Sequence, residues 1–167
     1  MNELVSVPFL PTSRELSEKA RELVCEGRRR AKHVNCFDFV PSNYELAWKT
    51  LDSLPRGRFC EWGSGLGIVT GLAELLGFES FGVEMDAELC RQSRELFLLS
   101  GLSARIYNED YFQSSIRADN YYVYCWPSLI GPTEELFGRI ANSDSLLLIC
   151  YGQDDIRGFS NEPTMRQ

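Results

Sequence analysis

Short apolar runs alternate with helix-like segments from Arg58 to Tyr151, and this alternation limits the fold more than any other feature. The strand-like runs are RFCEW, SFGVEM, SARIYN, NYYVYCW and SLLLICY, and helix-like segments follow the first, second and fourth of them. Strands joined through helices form right-handed crossovers, which produce a parallel sheet with helices on both faces. We therefore predict an α/β fold with a mostly parallel, doubly wound sheet.

Two helices are predicted ahead of this alternation. Thr12 and Glu15 have the spacing of a capping box, and apolar residues then recur at helical intervals as far as Lys32. Ser42 and Glu45 form a second such pair before another short amphipathic segment. We predict one structural domain with three parts: an N-terminal helical extension at residues 1–57, a core at 58–157 and a loose tail at 158–167.

The net charge of −7 restricts the choice of partner. A surface built to bind nucleic acid or anionic lipid is usually basic, so nucleic acid is not an expected partner. A cationic or neutral partner suits the charge at least as well. With 167 residues and 44% hydrophobic content, the chain is long and apolar enough for one domain with a real core.

The six cysteines have no spacing typical of a metal site. None forms a C-x-x-C pair and His33 is the only histidine, so we predict no bound metal. The N-terminus lacks the basic and apolar regions of a secretory signal, and the uncharged run SLLLICY is too short to span a bilayer. Reduced, buried thiols in a cytoplasmic protein are the expectation.

A cluster of glycines follows the first strand-like run. Gly63, Ser64, Gly65 and Gly67 fall between RFCEW and its helix, at the carboxyl end of a strand, where open α/β sheets bind ligands. Glycine is needed there because a side chain would keep a ligand away from the backbone. Glu84 ends the second run about 20 residues later, where a carboxylate can accept from both hydroxyls of a ribose.

Two common cofactor motifs do not match this turn. A nicotinamide cofactor uses G-x-G-x-x-G, but Ile68 stands at the third glycine position. A P-loop needs a Lys-Ser or Lys-Thr pair after the glycines, and that pair is missing. Glu61 precedes the turn, and its carboxylate would repel a pyrophosphate but would suit a ligand that carries an ammonium and a sulfonium.

With these motifs the chain resembles the class I S-adenosylmethionine-dependent methyltransferases from about Phe59 to Tyr151. The matching segments are EWGSGLG, GVEMD and NEDYF, which stand at the ends of the first three strand-like runs. The resemblance implies a Rossmann-like sheet whose first five strands lie in the order 3-2-1-4-5, counted from RFCEW. In this family two further strands usually complete the order 3-2-1-4-5-7-6.

The resemblance assigns roles to the first motif. It implies that the backbone around Gly63, Ser64 and Gly65 faces the methionine part and the ribose of S-adenosylmethionine, with Gly67 completing the motif. Glu61 would lie near the amino group of the cofactor, in direct contact or through a water molecule.

The second and third motifs would hold the rest of the cofactor. The resemblance implies that Glu84 accepts from the ribose hydroxyls and that Met85 lies against the adenine. It also implies that Asp110 accepts from the adenine amino group, with Tyr111 beside it. Without the resemblance, Glu84 is a charge at a strand end and Asp110 is a helix cap.

The methyl acceptor should approach the end of the fourth strand-like run, at YCWPS. Methyltransferases that act on base amines or glutamine amides usually carry an acidic, Asn or Ser residue there, followed by two prolines. Cys125, Trp126 and Pro127 do not match that pattern, which argues against this class. Cys125 has no histidine near it in the sequence and is expected to be a small buried residue rather than a nucleophile. Trp126 is either the wall of an acceptor pocket or a core residue, and no catalytic residue is identified.

A narrower resemblance links the chain to small protein-lysine methyltransferases, those of the ATP synthase c-ring and the adenine nucleotide carrier. It depends on the segment FVPS, which contains Phe39, Pro41 and Ser42 and which in that group closes over the cofactor. It implies a protein lysine or another amine as acceptor, and Asp154 or Asp155 could help to remove its proton. Two alternatives stay open: a small-molecule O- or N-methyltransferase, and a catalytically inactive, cofactor-binding partner subunit.

The C-terminus departs from the family pattern. Only GQDDIRGFSNEPTMRQ follows Tyr151, which is too polar and too short for two further strands with a hairpin and a helix. We therefore expect the C-terminal hairpin to be reduced or absent and SLLLICY to lie at an edge of the sheet. An apolar edge strand needs cover. A homodimer or docking to another subunit would supply it, as would a strand from the N-terminal segment ELVSVPFL.

Overall fold

The computed structural model describes residues 4–36 and 39–161, which contain a seven-stranded sheet. Its strands are β1 (Leu4–Val7), β2 (Arg58–Trp62), β3 (Glu79–Glu84), β4 (Arg105–Asn108), β5 (Asn120–Tyr124), β6 (Leu146–Gly152) and β7 (Asp155–Asn161). They lie in the order β1-β7-β6-β5-β2-β3-β4. Strands β2 to β6 pair in parallel, whereas β7 is antiparallel to both β6 and β1. The predicted α/β class and the order 3-2-1-4-5, counted from β2, are confirmed.

Helices cover both faces of this sheet. In the described ranges they are α1 (Glu18–Ala31), α2 (Tyr44–Asp52), α3 (Ile68–Leu75), α4 (Ala87–Ser100) and α5 (Ile130–Ile140). The first four pack on one face, around Trp48 and Leu72, and α5 packs on the other, around Phe137. None of these five helices has the length and apolar character needed to cross a membrane.

Both N-terminal helices start at a different residue from the one that the capping boxes predicted. Helix α1 follows Ser17, whose Oγ accepts from a backbone N–H three residues on, at 3.2 Å. Thr12, the predicted cap, instead donates its hydroxyl to Asp52 at 2.8 Å. Asn43 rather than Ser42 caps α2. The predicted starting residues of these helices were wrong because Ser, Thr and Asn are similarly good N-caps and stand close together in this sequence.

The apolar run SLLLICY, which forms most of β6, does not lie at an edge of the sheet. Strand β7 pairs with it in antiparallel register, from Leu146 opposite Ser160 to Gly152 opposite Asp155. The expectation of an exposed strand, and of a homodimer or subunit docking through it, is therefore wrong. The sequence of β7, DIRGFSN, is too polar to signal a strand, because β7 is only partly buried. The tail predicted at 158–167 contributes residues 158–161 to β7, and residues 162–167 lie outside the described ranges.

The N-terminal segment supplies the strand next to β7. Strand β1 pairs with β7, from Leu4 opposite Asn161 to Val7 opposite Gly158. Since β1 is antiparallel to β7, it runs parallel to β6. An N-terminal strand thus occupies the place of strand 6, at the end of the family order 3-2-1-4-5-7-6. The C-terminal hairpin of the family is reduced, as expected, and one strand of it, β7, is present.

Candidate active site

The glycine turn follows β2 along the chain and is hydrogen-bonded to the carboxyl end of β3. The backbone N–H groups of Gly63 and Ser64 both donate to the carbonyl of Val83, at 2.8 and 2.9 Å. Gly63, Gly65 and Gly67 have φ angles of 70°, 56° and 72°, a left-handed conformation that strongly favours glycine. The turn therefore presents backbone, with few side chains, to the space above the sheet.

A cavity of about 510 Å³ opens above this turn. It lies at the carboxyl ends of β2, β3 and β5, where open α/β sheets bind ligands. Many of the predicted site residues line it. From the cofactor set these are Glu61, Gly63, Ser64, Gly65, Glu84, Met85 and Tyr111, and from the acceptor set Phe39, Ser42 and Trp126.

Three other predicted residues lie outside the cavity lining. Gly67 is the N-cap residue of α3, and a Cβ on it would come within 2.8 Å of the Phe97 ring, so this glycine permits close packing. Cys125 is buried, with its Sγ 3.7 Å from Thr133 Oγ1, which agrees with a small buried residue. Pro127 opens a 3-10 turn after β5.

Asp110 also lies outside the lining. Its Oδ1 accepts from the backbone N–H of Phe112 at 3.0 Å and caps a 3-10 turn, which is the alternative that the sequence left open. Its Oδ2 makes no hydrogen bond with the described residues. Tyr111, the next residue, does reach the cavity and stacks on Trp62, with ring centroids 5.7 Å apart.

Glu61 ends up deeply buried at the cavity, with 6% of its surface exposed. Its Oε2 accepts from the backbone N–H of Thr70 at 2.8 Å and from the Thr70 hydroxyl at 2.5 Å. Its Oε1 has no hydrogen-bond partner in the described part of the chain. Burial raises the pKa of Glu61 from 4.5 to about 8, although the Thr70 hydrogen bonds oppose the shift and the charge of Glu84 adds to it.

Glu84 ends the adjacent strand, β3. Its Oε2 accepts from the backbone N–H of Gly65 and its Oε1 from the backbone N–H of Asp86, both at 2.8 Å. These bonds fix the carboxylate and leave a lone pair on each oxygen for a further donor. The structure thus brings the carboxylates of Glu61 and Glu84 into one cavity from neighbouring strands.

Unpartnered polar groups and open backbone indicate a ligand site in this cavity. The Ser64 hydroxyl and the Trp62 indole N–H are buried without a hydrogen-bond partner among the described residues. Such groups are normally paired, so a ligand or water would be expected to satisfy them. A Cβ built on Gly63 would have no atom within 4 Å, so the backbone faces open space. A Cβ on Gly65 would lie 2.8 Å from the Phe39 ring, which leaves no room for a side chain.

Aromatic residues that the sequence analysis did not select form much of the cavity wall. Tyr44, Trp62 and Tyr124 line it together with Trp126, which is 48% exposed. Trp62 and Tyr124 are the last residues of β2 and β5. Since ligands bind at the carboxyl ends of parallel strands, that position alone would have selected them. Tyr44 opens α2 and had no such signal.

The segment from Phe39 to Ser42 borders the cavity, although Pro41 itself does not line it. The side-chain amide of Gln153, in the turn between β6 and β7, donates to the carbonyl of Pro41 at 2.8 Å. The Tyr122 hydroxyl, from β5, donates to Ser42 Oγ at 3.3 Å. The turn between β6 and β7 and strand β5 therefore anchor this segment.

The aspartates considered for proton removal are engaged outside the cavity lining. Asp154 Oδ1 accepts from Asn43 Nδ2 at 3.3 Å, and Asp155 forms an ion pair with Arg157 at 2.6 Å. Within residues 4–36 and 39–161, no group of three or more histidine, cysteine or carboxylate side chains could hold a metal ion.

Comparison with solved structures identifies methyltransferases with the same fold. A methyltransferase from Podospora anserina with bound S-adenosylhomocysteine has a TM-score of 0.64 at 16% identity, over 82% of this chain and 63% of that one. A proposed RNA methyltransferase from Pyrococcus horikoshii has a TM-score of 0.59 at 14% identity, over 87% and 99%. An RNA methyltransferase from Salinibacter ruber in complex with S-adenosylhomocysteine has a TM-score of 0.57 at 17% identity, over 65% and 82%.

These likenesses establish the fold of the chain. The sequence matches no protein-family model and no curated protein. The chain spans less than half the length of some of the other matched structures, including a methyltransferase from Geobacter sulfurreducens. Activity, acceptor and partners are therefore argued from the site itself.

The burial of Glu61 predicts a stability that depends on pH. Its folded-state pKa of about 8 lies above the ordinary value of 4.5, so between these values the folded protein keeps a proton that the unfolded chain releases. This contribution to stability is complete below pH 4.5 and is lost as the pH rises to about 8, by about 2–5 kcal/mol. Urea denaturation of the ligand-free protein across this range measures it. The Glu61→Gln variant should lose most of this decrease in the free energy of unfolding. The Glu79→Gln variant, changed at an exposed residue at the start of β3, should retain it. An unchanged decrease in Glu61→Gln would contradict the assignment.

Proposed function

We propose that the protein is an S-adenosylmethionine-dependent methyltransferase. One observation carries the proposal: Glu61 and Glu84 line a single cavity at the ends of adjacent parallel strands, beside a glycine turn whose backbone faces that cavity. The three class I motifs support it. The fold shared with methyltransferases that were crystallised with S-adenosylhomocysteine supports it as well.

The residues of the cavity fit this cofactor. Glu61 Oε1, which has no hydrogen-bond partner among residues 4–36 and 39–161, suits an ammonium group, and the Ser64 hydroxyl, without a partner in the same ranges, can donate to a carboxylate or ribose oxygen. Glu84 can accept from ribose hydroxyls with the lone pairs that its two backbone bonds leave free. Met85, 73% exposed, offers an apolar surface to the adenine. Asp110 lies outside the cavity lining, next to Tyr111, and would accept from the adenine amino group through Oδ2.

Positioning is the main task that this chain would perform. S-adenosylmethionine supplies an activated methyl group on a sulfonium, and its transfer is an in-line displacement. The protein can therefore lower the barrier chiefly by orienting the acceptor and excluding water. Trp62 and Tyr111, whose ring planes lie 11° apart, form a rigid apolar wall suited to that task. We assign no general base among the described residues, so a lysine acceptor would release its proton to solvent before the transfer.

Binding of S-adenosylhomocysteine, measured by isothermal titration calorimetry, tests the cofactor assignment. We expect the wild-type protein to bind it, and Glu84→Gln to bind at least about tenfold more weakly, because charged hydrogen bonds to the ribose are lost. Glu79→Gln on the same strand is the matched control and should bind as the wild type does. Equal affinity in all three proteins, or no binding by the wild type, would overturn the assignment.

We further propose that the segment from Phe39 to Ser42 closes over the bound cofactor. Phe39 and Ser42 line the cavity, and the residue before Pro41 is restricted to extended geometry, so the segment is a stiff strap. Gln153 and Tyr122 hold it at two points.

Hydrogen exchange tests this strap. When S-adenosylhomocysteine binds, the backbone amides of residues 44–47 should exchange more slowly, because the strap leads directly into the start of α2. Mass spectrometry of the free and bound protein measures the change, and the amides of β4 provide the internal control. Unchanged exchange at residues 44–47 in a sample with confirmed binding would remove this role from the strap.

For the methyl acceptor we propose an amine, with a protein lysine as the first choice. The exposed ring of Trp126 borders the cavity and can contact a cationic amine. Burial raises the pKa of the Cys125 thiol, the Thr133 hydrogen bond opposes this shift and the Glu134 carboxylate adds to it, so the thiol stays neutral and is not expected to compete as a nucleophile. The narrower resemblance to protein-lysine methyltransferases supports the same choice. A small-molecule O- or N-methyltransferase and an inactive, cofactor-binding partner subunit are the alternatives.

Incubation of the protein with tritiated S-adenosylmethionine and a cell lysate, followed by separation by size, distinguishes these acceptors. A labelled protein band is the expected result, and its label should yield methyl-lysine on hydrolysis. Label only in small molecules would replace the proposal with the small-molecule alternative. Absence of label from a protein that binds S-adenosylhomocysteine would favour the partner subunit.

A further inference from the structure

A groove of about 790 Å³ lies between α1 and α2, apart from the candidate active site. Its lining is rich in cations, which are Arg14, Arg21, Arg28, Arg29, Lys32 and Lys49. Two carboxylates, Glu15 and Glu45, also line it, which leaves a local charge of +4 in a chain whose net charge is −7. Positive charge is thus concentrated on this one surface of an acidic protein.

Part of this charge has no partner in the fold. Arg28, Lys32 and Lys49 form no ion pair with the described residues, whereas two of the other cations pair with carboxylates and one donates to a backbone carbonyl. Arg21, Arg28 and Lys32 follow one face of α1 over a length of about 16 Å. Like charges at this spacing repel one another, so an anionic occupant would relieve a cost that the empty groove carries.

The aromatic residues of this region argue against nucleic acid as the occupant. Proteins that hold single strands in basic grooves usually offer exposed aromatic faces on which bases stack. Trp48 is 1% exposed and is covered by the Arg14 guanidinium, 5.5 Å from its ring centre. Tyr44 is 5% exposed and is covered by Arg28 at 5.8 Å. Each of the two rings is therefore covered by one of the protein's own arginines.

Carboxylates together with apolar side chains suit the groove better. Leu16 and Val24 also line it, so apolar contact accompanies the charges. Four of the six cations are arginines, whose planar guanidinium matches a carboxylate at two points. An acidic amphipathic helix of about 11 residues has the length of the charged face of α1. We propose that this groove docks an acidic polypeptide segment of the methyl-acceptor protein.

The groove meets the candidate active site at Tyr44. That residue lines the active-site cavity, while Arg28, which stacks on its ring, and Glu45, which follows it, line the groove. A docked segment would therefore hold its protein next to the strap and the cavity mouth. That the docked protein is the methyl acceptor rests on the proposed function, but the docking itself does not.

Fluorescence anisotropy with two labelled probes of equal length tests the docking. One is an amphipathic helical peptide of about 12 residues made of glutamate and leucine, and the other a single-stranded RNA of about 12 nucleotides. We expect the full-length protein to bind the peptide more tightly than the RNA, and to bind it about tenfold more weakly when salt rises from about 20 mM to about 300 mM.

Charge-reversal variants assign the binding to the groove. Lys32→Glu combined with Lys49→Glu should weaken peptide binding about tenfold or more, and the milder Lys32→Ala with Lys49→Ala should weaken it less. Arg105→Glu combined with Arg117→Glu makes the same charge change at exposed residues outside the groove and should leave binding within about twofold. Thermal unfolding of each variant verifies that it is folded.

Three results would overturn the docking proposal. They are no peptide binding by the wild type, an equal loss in the groove and control variants, and tighter binding of RNA than of peptide. Calorimetry with S-adenosylhomocysteine, run on the same samples, keeps the two proposals separate. Peptide binding without cofactor binding would overturn the methyltransferase proposal and support the docking proposal. Cofactor binding without peptide binding would overturn the docking proposal and support the methyltransferase proposal.

Discussion

The site depends on two backbone hydrogen bonds, those that Gly63 and Ser64 donate to the carbonyl of Val83. They extend the pairing of β2 with β3, so the carboxylates of Glu61 and Glu84, near the ends of the two strands, enter one cavity. The close approach also requires Gly82, since a Cβ there would lie 2.8 Å from Ser64 Oγ. Gly63 and Gly65, both left-handed, then keep side chains from entering the cavity at these two positions. The chemistry proposed for this surface follows from a backbone constraint, and the side chains are arranged around it.

The parts of the fold that could be predicted from the sequence are those with local signals. Strands β2, β3, β5 and β6 are buried on both faces, so they appear as apolar runs, and glycines and helix-like segments separate them. Strand β7 carries no such signal, and β1, a candidate strand in ELVSVPFL, was expected to cover β6 and not to pair with β7. Their pairing joins Leu4 to Asn161 across almost the whole chain, and both strands are only partly buried. Polar residues are tolerated where one face is open, so pattern alone cannot separate β7 from a loop.

The site divides in the same way. The location of Glu61 and Glu84 at the cavity was predictable because both stand near a strand end beside a glycine turn. The orientation of Asp110 was not predictable, because a carboxylate at that position can cap the following turn or face a ligand. Only the three-dimensional path of the chain decides between these two orientations. The basic groove was invisible for another reason. Arg14, in the segment before α1, and Lys49 on α2 come together only when the helices pack, and a net charge of −7 conceals a local excess of the opposite sign.

The hairpin of β6 and β7, which the sequence did not predict, also changes how the site can work. The turn between β6 and β7 carries Gln153, which binds the carbonyl of Pro41, while β5 carries Tyr122, whose hydroxyl reaches Ser42 and lies 2.8 Å from Cys150 Sγ. Had the chain ended at an exposed β6, the strap would have lost one of these anchors. Strand β1 in turn covers the outer edge of β7, so the N-terminal segment protects the same hairpin that holds the strap. Strand β1 therefore contributes to the sheet that carries the site, because it pairs with β7, and the turn between β6 and β7 contacts the strap.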